Sequence, residues 1–199
     1  MEGMIFTIGH SNHSLEIFLE LLRQNGVETI VDTRSNPRSK YVPQFDAAAL
    51  QRTLEAAGIG YIYTGRELGG RPDGAQFYDA DGRVLYGKVA QADFFKKGLE
   101  GIARLETEGS GTRLALLCAE ENPSVCHRRL LIARVLAERG VPVIHIRADG
   151  RVETEEQMAA QEAAAHEDAQ LSLFEHAKVP EWKSIPSVLP KRQPSASSD

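Results

Sequence analysis

Only two of the 199 residues are cysteine, Cys118 and Cys126, and that scarcity excludes the disulfide framework that holds small secreted domains together. The two lie too near each other in the chain to staple distant elements, and they read as free thiols, ligands or core. An excess of basic charge is also missing. Twenty-three Lys and Arg stand against 28 Asp and Glu, for a formal charge of −5, so no global positive field draws the chain to nucleic acid and any such contact must be local. No stretch approaches the roughly 20 apolar residues of a membrane helix, and Met1 to Gly9 lack the basic-then-apolar pattern of a targeting segment. The expectation is a cytoplasmic protein with no membrane association. No internal repeat is visible.

What is present suits one compact domain. The chain is 42% hydrophobic and 26% charged, in the range of an α/β protein. Short apolar runs at Ile5 to Ile8, Thr29 to Val31, Ile59 to Tyr63, Leu114 to Leu117 and Val143 to Ile146 read as strands. Between them, helical spacing follows Ser14, a helix capped by Asp46 runs to Ala57, Phe94 to Leu105 is helical, and Pro123 to Arg139 reads as one helix stopped by Gly140. This alternation predicts a Rossmann-like, mainly parallel sheet with helices on both faces over residues 1–150. Thr64 to Gly87, rich in Gly, Asp and Arg, reads as a functional loop or lid. Residues 151–179 carry an acidic helix and a short peptide motif, and 180–199 a flexible tail rich in Pro and Ser.

Ligands of parallel α/β sheets collect at the carboxyl ends of strands, and three polar groups fall there. Gly9, His10 and Ser11 follow the first strand, Asp32 and Arg34 the second, and Cys118, Glu120, Cys126, His127 and Arg128 the fourth. Gly9 to Asn12 reads either as a tight turn and cap or as an anion cradle, and Asp32 with Arg34 either as a surface ion pair or as ligand contacts. If Asn122 and Pro123 open a helix, Cys126, His127 and Arg128 lie near its positive end, which favours a thiolate and attracts anions. Adjacent helical residues diverge by about 100 degrees, which argues against a Cys126 and His127 dyad. The spacing of Cys118, Glu120, Cys126 and His127 matches no paired Cys-x-x-Cys zinc pattern, so no metal is assigned, and the cofactor stays unknown. A plain structural reading puts both thiols in the core, with Arg128 or Arg129 on a carboxylate such as Glu120. Gly69 and Gly70 would let backbone approach a ligand closely. His145, inside a strand, reads as a satisfied core histidine.

Taken together, Ile8-Gly9-His10-Ser11, Val31-Asp32-Thr33-Arg34 with Pro37, Leu68-Gly69-Gly70, Leu117-Cys118-Ala119-Glu120, Cys126-His127-Arg128 and His145-Ile146 before Asp149-Gly150 resemble the domain-of-unknown-function family 488. The likeness spans roughly Met4 to Gly150, and Thr33 stands where a Val-Asp-Val-Arg form would be expected. The resemblance implies an α/β fold and a site built from these positions, and it says more about location than about reaction. Separately, Gln170-Leu171-Ser172-Leu173-Phe174 looks like the peptide by which bacterial DNA-processing proteins dock on the replicative sliding clamp, with Leu173 and Phe174 entering an apolar pocket and Gln170 hydrogen-bonding. The competing reading has Leu171, Leu173 and Phe174 packing back on the domain.

The leading expectation is a hydrolase acting on nucleic acid or a nucleotide, in the setting of DNA repair or modified-base processing. In it Glu120, Cys126 and His127 carry the chemistry, while Gly9, His10, Ser11, Asp32, Arg34, Gly69, Gly70, Cys118 and Arg128 line an anion-binding pocket whose two walls face each other. Two alternatives remain open: a non-catalytic nucleotide or anion sensor that docks on a DNA-processing partner, and a thiol redox or thiolate-metal protein.

Overall fold

Strands covered on both faces need apolar residues at every position, and Ile5–Gly9 (β1) and Leu114–Cys118 (β4) are buried along their whole length. The computed structural model describes residues 4–108, 111–170 and 182–185. Around the two central strands lie Leu15–Gln24 (α1), Thr29–Asp32 (β2), Ala47–Ala56 (α2), Gly60–Tyr63 (β3), Tyr86–Gln91 (α3), Asp93–Glu108 (α4), Arg134–Glu138 (α5), Val143–Ile146 (β5), Val152–Thr154 (β6) and Glu155–Gln170 (α6). The six strands form one sheet in the order β3-β2-β4-β1-β5-β6. All pairs are parallel except β5 with β6. The expected α/β fold with a mainly parallel sheet is the fold of this chain.

Alternation along the strands divides the core in two. Ile5, Val31, Leu114 and Leu116 pack with Val89, Phe95, Leu99, Leu131 and Leu136. Phe6, Ile8, Ile30, Ala115 and Leu117 pack with Phe18, Leu22, Leu50 and Leu54. Thus α1 and α2 cover one face, and α3, α4 and α5 the other. β1 leads through α1 to β2, and the neighbouring β4 leads through α5 to β5, on the opposite face and in the opposite direction. The carboxyl ends of β1 and β4 therefore form the topological switch point, where such sheets open a crevice.

Several local expectations change in the folded chain. Asp46 stands at the start of α2, but its carboxylate accepts from Ser39 N at 2.7 Å and caps no amide of the helix. Pro123 to Arg139 is not one helix. Pro123–Val125 is a single 3-10 turn capped by Asn122, Cys126 is extended at φ −116° and ψ 141°, and a π-type stretch, Arg128–Ala133, runs on into α5. The Cys126 carbonyl accepts from Arg129 N and Leu130 N, so the helix begins at Cys126. The 64–87 segment is packed: Leu68, Val84 and Leu85 are buried, Tyr78 bridges Val84, and Ala75–Phe77 forms a 3-10 turn.

A buried polar chain fastens α6 to the sheet. Thr7 Oγ1 meets His145 Nδ1 at 2.7 Å, His145 Nε2 meets Glu155 at 2.8 Å, and Arg129 joins Glu155 and Glu162. His145 is thus the satisfied core histidine expected from its place in a strand. Within the stretch expected as tail, Trp182–Ile185 lie against the domain. Trp182 Nε1 donates to Leu130 O at 2.7 Å, Ser184 N donates to Val84 O at 2.8 Å, and the Arg134 guanidinium sits 4.3 Å from the Trp182 ring. Leu171, Leu173 and Phe174 lie outside the described residues. None of the described helices is long and apolar enough to cross a membrane.

Two glycines make opposite demands. A Cβ on Gly9 would run into the Glu120 carbonyl, whereas one on Gly101, in α4, would meet nothing. Gly9→Ala is therefore expected to cost about 1–3 kcal/mol or more in urea unfolding, and Gly101→Ala to add about 0.5–1 kcal/mol. Equal effects of the two substitutions would contradict this packing.

Candidate functional site

The strand ends at the switch point are stitched together by backbone before any side chain contributes. His10 N donates to Cys118 O and Ser11 N to Ala119 O, at 3.0 and 2.9 Å. This extends the ladder between β1 and β4 by two residues and leaves Ser11 in the left-handed region at φ 46°, a conformation disfavoured for a side chain with a Cβ. The Glu120 carbonyl then crosses directly over Gly9.

The same alternation that divides the core divides the candidate residues. On the α1 and α2 face, the Arg34 guanidinium grips Asp32 through Nε at 2.8 Å and Nη2 at 2.6 Å, and its Nη1 donates to Phe45 O at 2.8 Å and to His10 Nε2 at 3.1 Å. Tyr61 Oη donates to the second Asp32 oxygen at 2.7 Å. Asp32 and Arg34 are buried. Of the readings weighed for Asp32 and Arg34, an ion pair forms, but inside the protein and not at the surface. With both carboxylate oxygens and all three guanidinium nitrogens engaged, the pair is a wall of the site and not a free grip for an anion.

His10 stacks on Phe45 with ring centroids 4.4 Å apart, and its Nδ1 lies 2.8 Å from Ser11 O. That carbonyl can only accept, so Nδ1 carries the proton and Nε2 accepts from Arg34. Burial, opposed by the Ser11 hydrogen bond, lowers the ring's pKa to about 4, so it is uncharged at neutral pH.

On the other face, Cys118, at the end of β4, meets Cys126 and His127. Cys118 Sγ lies 3.5 Å and Cys126 Sγ 3.8 Å from His127 Nδ1, and the three atoms lie within 4.8 Å of one another. Divergence along a helix does not keep Cys126 and His127 apart, because Cys126 is extended and turns its thiol back towards the strand. The His127 ring is fixed from behind: Nε2 lies 3.2 Å from Thr33 O and 3.4 Å from Thr33 Oγ1. The Thr33 hydroxyl proton is already donated to Leu117 O at 2.8 Å. Gly70 closes over the ring, where a Cβ would come within 2.7 Å of Cγ.

The two thiols differ in acidity. A hydrogen bond from Cys126, with the nearby His127 and Arg128, outweighs burial and pulls Cys118 well below the usual thiol range. Burial, then the neighbouring Cys118 sulfur, pushes Cys126 up. The more acidic thiol of the pair is therefore Cys118, where proximity to a helix end had pointed to Cys126.

The remaining expected residues fall around this cluster. Glu120 is exposed two residues beyond Cys118, and only its carbonyl meets Arg128. Arg128 is fully buried, with Nε on Thr7 Oγ1 at 3.3 Å and its terminal nitrogens on the carbonyls of Glu120 and Glu121. It braces the loop that carries the site. Gly69 and Gly70 bring the 64–71 loop against Ser35 and His127, so the close approach they permit is to the protein itself. In the sequence Thr33 belongs to the polar group after the second strand and departs from an expected pattern, but it was given no role in the site. Its place between two residues of the opposite face was the available signal that it points towards the cysteines. Exposed Arg38 and Lys40, after β2, and Arg66 and Arg71, after β3, add cationic side chains to loops at this end of the sheet.

For His10, the folded pKa of about 4 against the ordinary 6.5 means that the unfolded chain takes up a proton first. Stability is then lost as pH falls from about 6.5 towards 4. NMR of the ring should find His10 neutral at pH 6, and His10→Gln should flatten that part of the stability profile. A folded-state titration near 6.5 would remove the assignment.

No curated protein and no solved structure matches the chain. A family model does match, over residues 14–135. That span includes the Asp32–Arg34 pair, the glycine loop and the Cys118–Cys126–His127 cluster, and it stops short of His10 and His145. With more than half its length matched, the protein belongs to the family described as Domain of unknown function DUF488.

Proposed function

We propose that the protein is a hydrolase acting on nucleic acid or a nucleotide, with its reacting centre at Cys118, Cys126 and His127. The observation that carries this reading is the convergence of two sulfurs and an imidazole nitrogen within 4.8 Å at the switch point of a parallel sheet, where ligands of such sheets are bound. Glu120, exposed on the same loop, is the proton carrier in this reading. Phosphate is met by the exposed Arg38, Lys40, Arg66 and Arg71, since Arg34 and Arg128 have their donors engaged inside. Such contacts are local, as a chain of charge −5 requires.

Recruitment supplies what the charge does not. In this proposal Gln170, Leu171, Leu173 and Phe174 dock on the DNA sliding clamp in the cytoplasm and deliver the enzyme to DNA undergoing repair or to modified bases. The motif's sequence supports this, together with its position at the end of an acidic helix, α6, whose last residue is Gln170.

Two experiments follow. A panel of single-stranded, duplex and base-modified oligonucleotides and free nucleotides should include a substrate that the protein hydrolyses, with products read by mass spectrometry. Cys118→Ser and Glu120→Gln should each lower kcat/KM by about 100-fold or more while substrate binding persists. No turnover across the panel, or turnover unchanged by both substitutions, would defeat the enzyme reading. For the partner, a peptide of Ala169 to His176 should bind sliding clamp, and Leu173→Ala with Phe174→Ala should abolish binding by the whole protein. Undiminished binding by that double variant would end the docking proposal.

A further inference from the structure

We propose that Cys118, Cys126 and His127 form a binding site for a thiophilic divalent cation of the zinc class, ligated through the two Sγ atoms and His127 Nδ1. The spacing fits the ion. Zinc bound tetrahedrally at about 2.3 Å from sulfur and about 2.0–2.1 Å from nitrogen holds S and N ligands about 3.5 Å apart and two sulfurs about 3.8 Å apart. Cys118 and Cys126 stand 3.5 and 3.8 Å from Nδ1, and no pair in the cluster exceeds 4.8 Å.

The tautomer fits as well. Thr33 O can only accept, and the Thr33 hydroxyl has given its proton to Leu117 O. Nε2 therefore carries the ring proton and the Nδ1 lone pair points at both sulfurs. A backbone carbonyl on the far nitrogen is the usual support of a metal-bound histidine. Three soft or borderline donors thus converge on one space. Linear spacing hid the site, because one cysteine ends a strand and the other precedes a helix instead of the two sharing a Cys-x-x-Cys knuckle. Three protein ligands leave the fourth tetrahedral position for water or substrate, the pattern of hydrolytic zinc.

The test uses the full-length protein, reduced and stripped with a chelator, then titrated with Co²⁺. About one ion per chain should bind, with sulfur-to-cobalt charge-transfer absorption and the visible bands of tetrahedral cobalt, and Zn²⁺ should displace it. Both thiols should become unreactive to a disulfide reagent when the ion is bound. Cys118→Ser and Cys126→Ser should each lose stoichiometric binding, and His127→Gln should weaken it by about 10-fold or more, with circular dichroism of the ion-free variants checking that they fold. The cobalt charge-transfer absorption of the unmodified protein decides the matter even if a variant unfolds, since both thiols are buried with or without an ion. Reduced, folded protein that takes up no stoichiometric ion, or takes one up without charge-transfer absorption and with both thiols still reactive, overturns the proposal. The readout is the ion and not turnover. A failure here leaves the hydrolase reading standing, and an ion-binding protein that hydrolyses none of the substrates would lose that reading and keep this one.

Discussion

A guanidinium with no surface on the solvent must have its charge and its N–H groups met inside the protein, and Arg128 is the largest fully buried side chain of the fold. It meets that demand with Thr7 Oγ1, in the centre of β1, and with the carbonyls of Glu120 and Glu121 beyond β4. Those carbonyls belong to a loop with no regular structure to satisfy them. Arg128 thus holds the loop down across the end of β1, and Gly9 is the residue small enough to lie beneath it. Everything in the candidate site follows from that placement. Cys118 is held just before the braced loop, and Cys126 and His127 begin the helix from which Arg128 reaches back.

Two buried arginines could be mistaken for anion grips because both sit at strand ends with polar neighbours. Their geometry argues otherwise. Arg34 is closed by Asp32, Phe45 O and His10, and Arg128 by a hydroxyl and two carbonyls. Arg129, next in sequence, turns instead to Glu155 and Glu162. Such groups fix geometry, since removing one partner would strand a charge or a carbonyl in a medium that cannot solvate it. The chemistry is then left to the groups whose needs are less completely met, the two sulfurs and the imidazole facing them.

The layout of the sheet was largely legible from the chain. Strands β1, β2, β4 and β5 are apolar runs and helices α1, α2 and α4 carry apolar stripes, and burial imposes those periods locally, whereas β6 and α6 have neither and were not marked in this way. The candidate residues were legible as a set for a related reason, since polar side chains directly after buried strands stand where a parallel sheet opens. Their grouping was not legible. Asp32 and Arg34 point to one face while Thr33 points to the other, so one tripeptide contributes to two different clusters. The expected two walls of a single anion pocket became a closed ion-pair cluster on one side and a thiol and imidazole cluster on the other.

From the sequence alone come the α/β class, the parallel strands, the shortage of disulfides and of basic field, the family likeness, and the motif-like peptide Gln170 to Phe174. These rest on composition and on spacing between near neighbours. Only the tertiary structure decided that the helix starts at an extended Cys126, that its thiol meets Cys118, that Thr33 sets the His127 tautomer and that the arginines are engaged within. Each of those outcomes depends on a partner supplied by a different element, as when Thr33, 94 residues before His127, fixes its ring. A pattern of neighbours along the chain carries no information about such a meeting until the sheet has brought the two together.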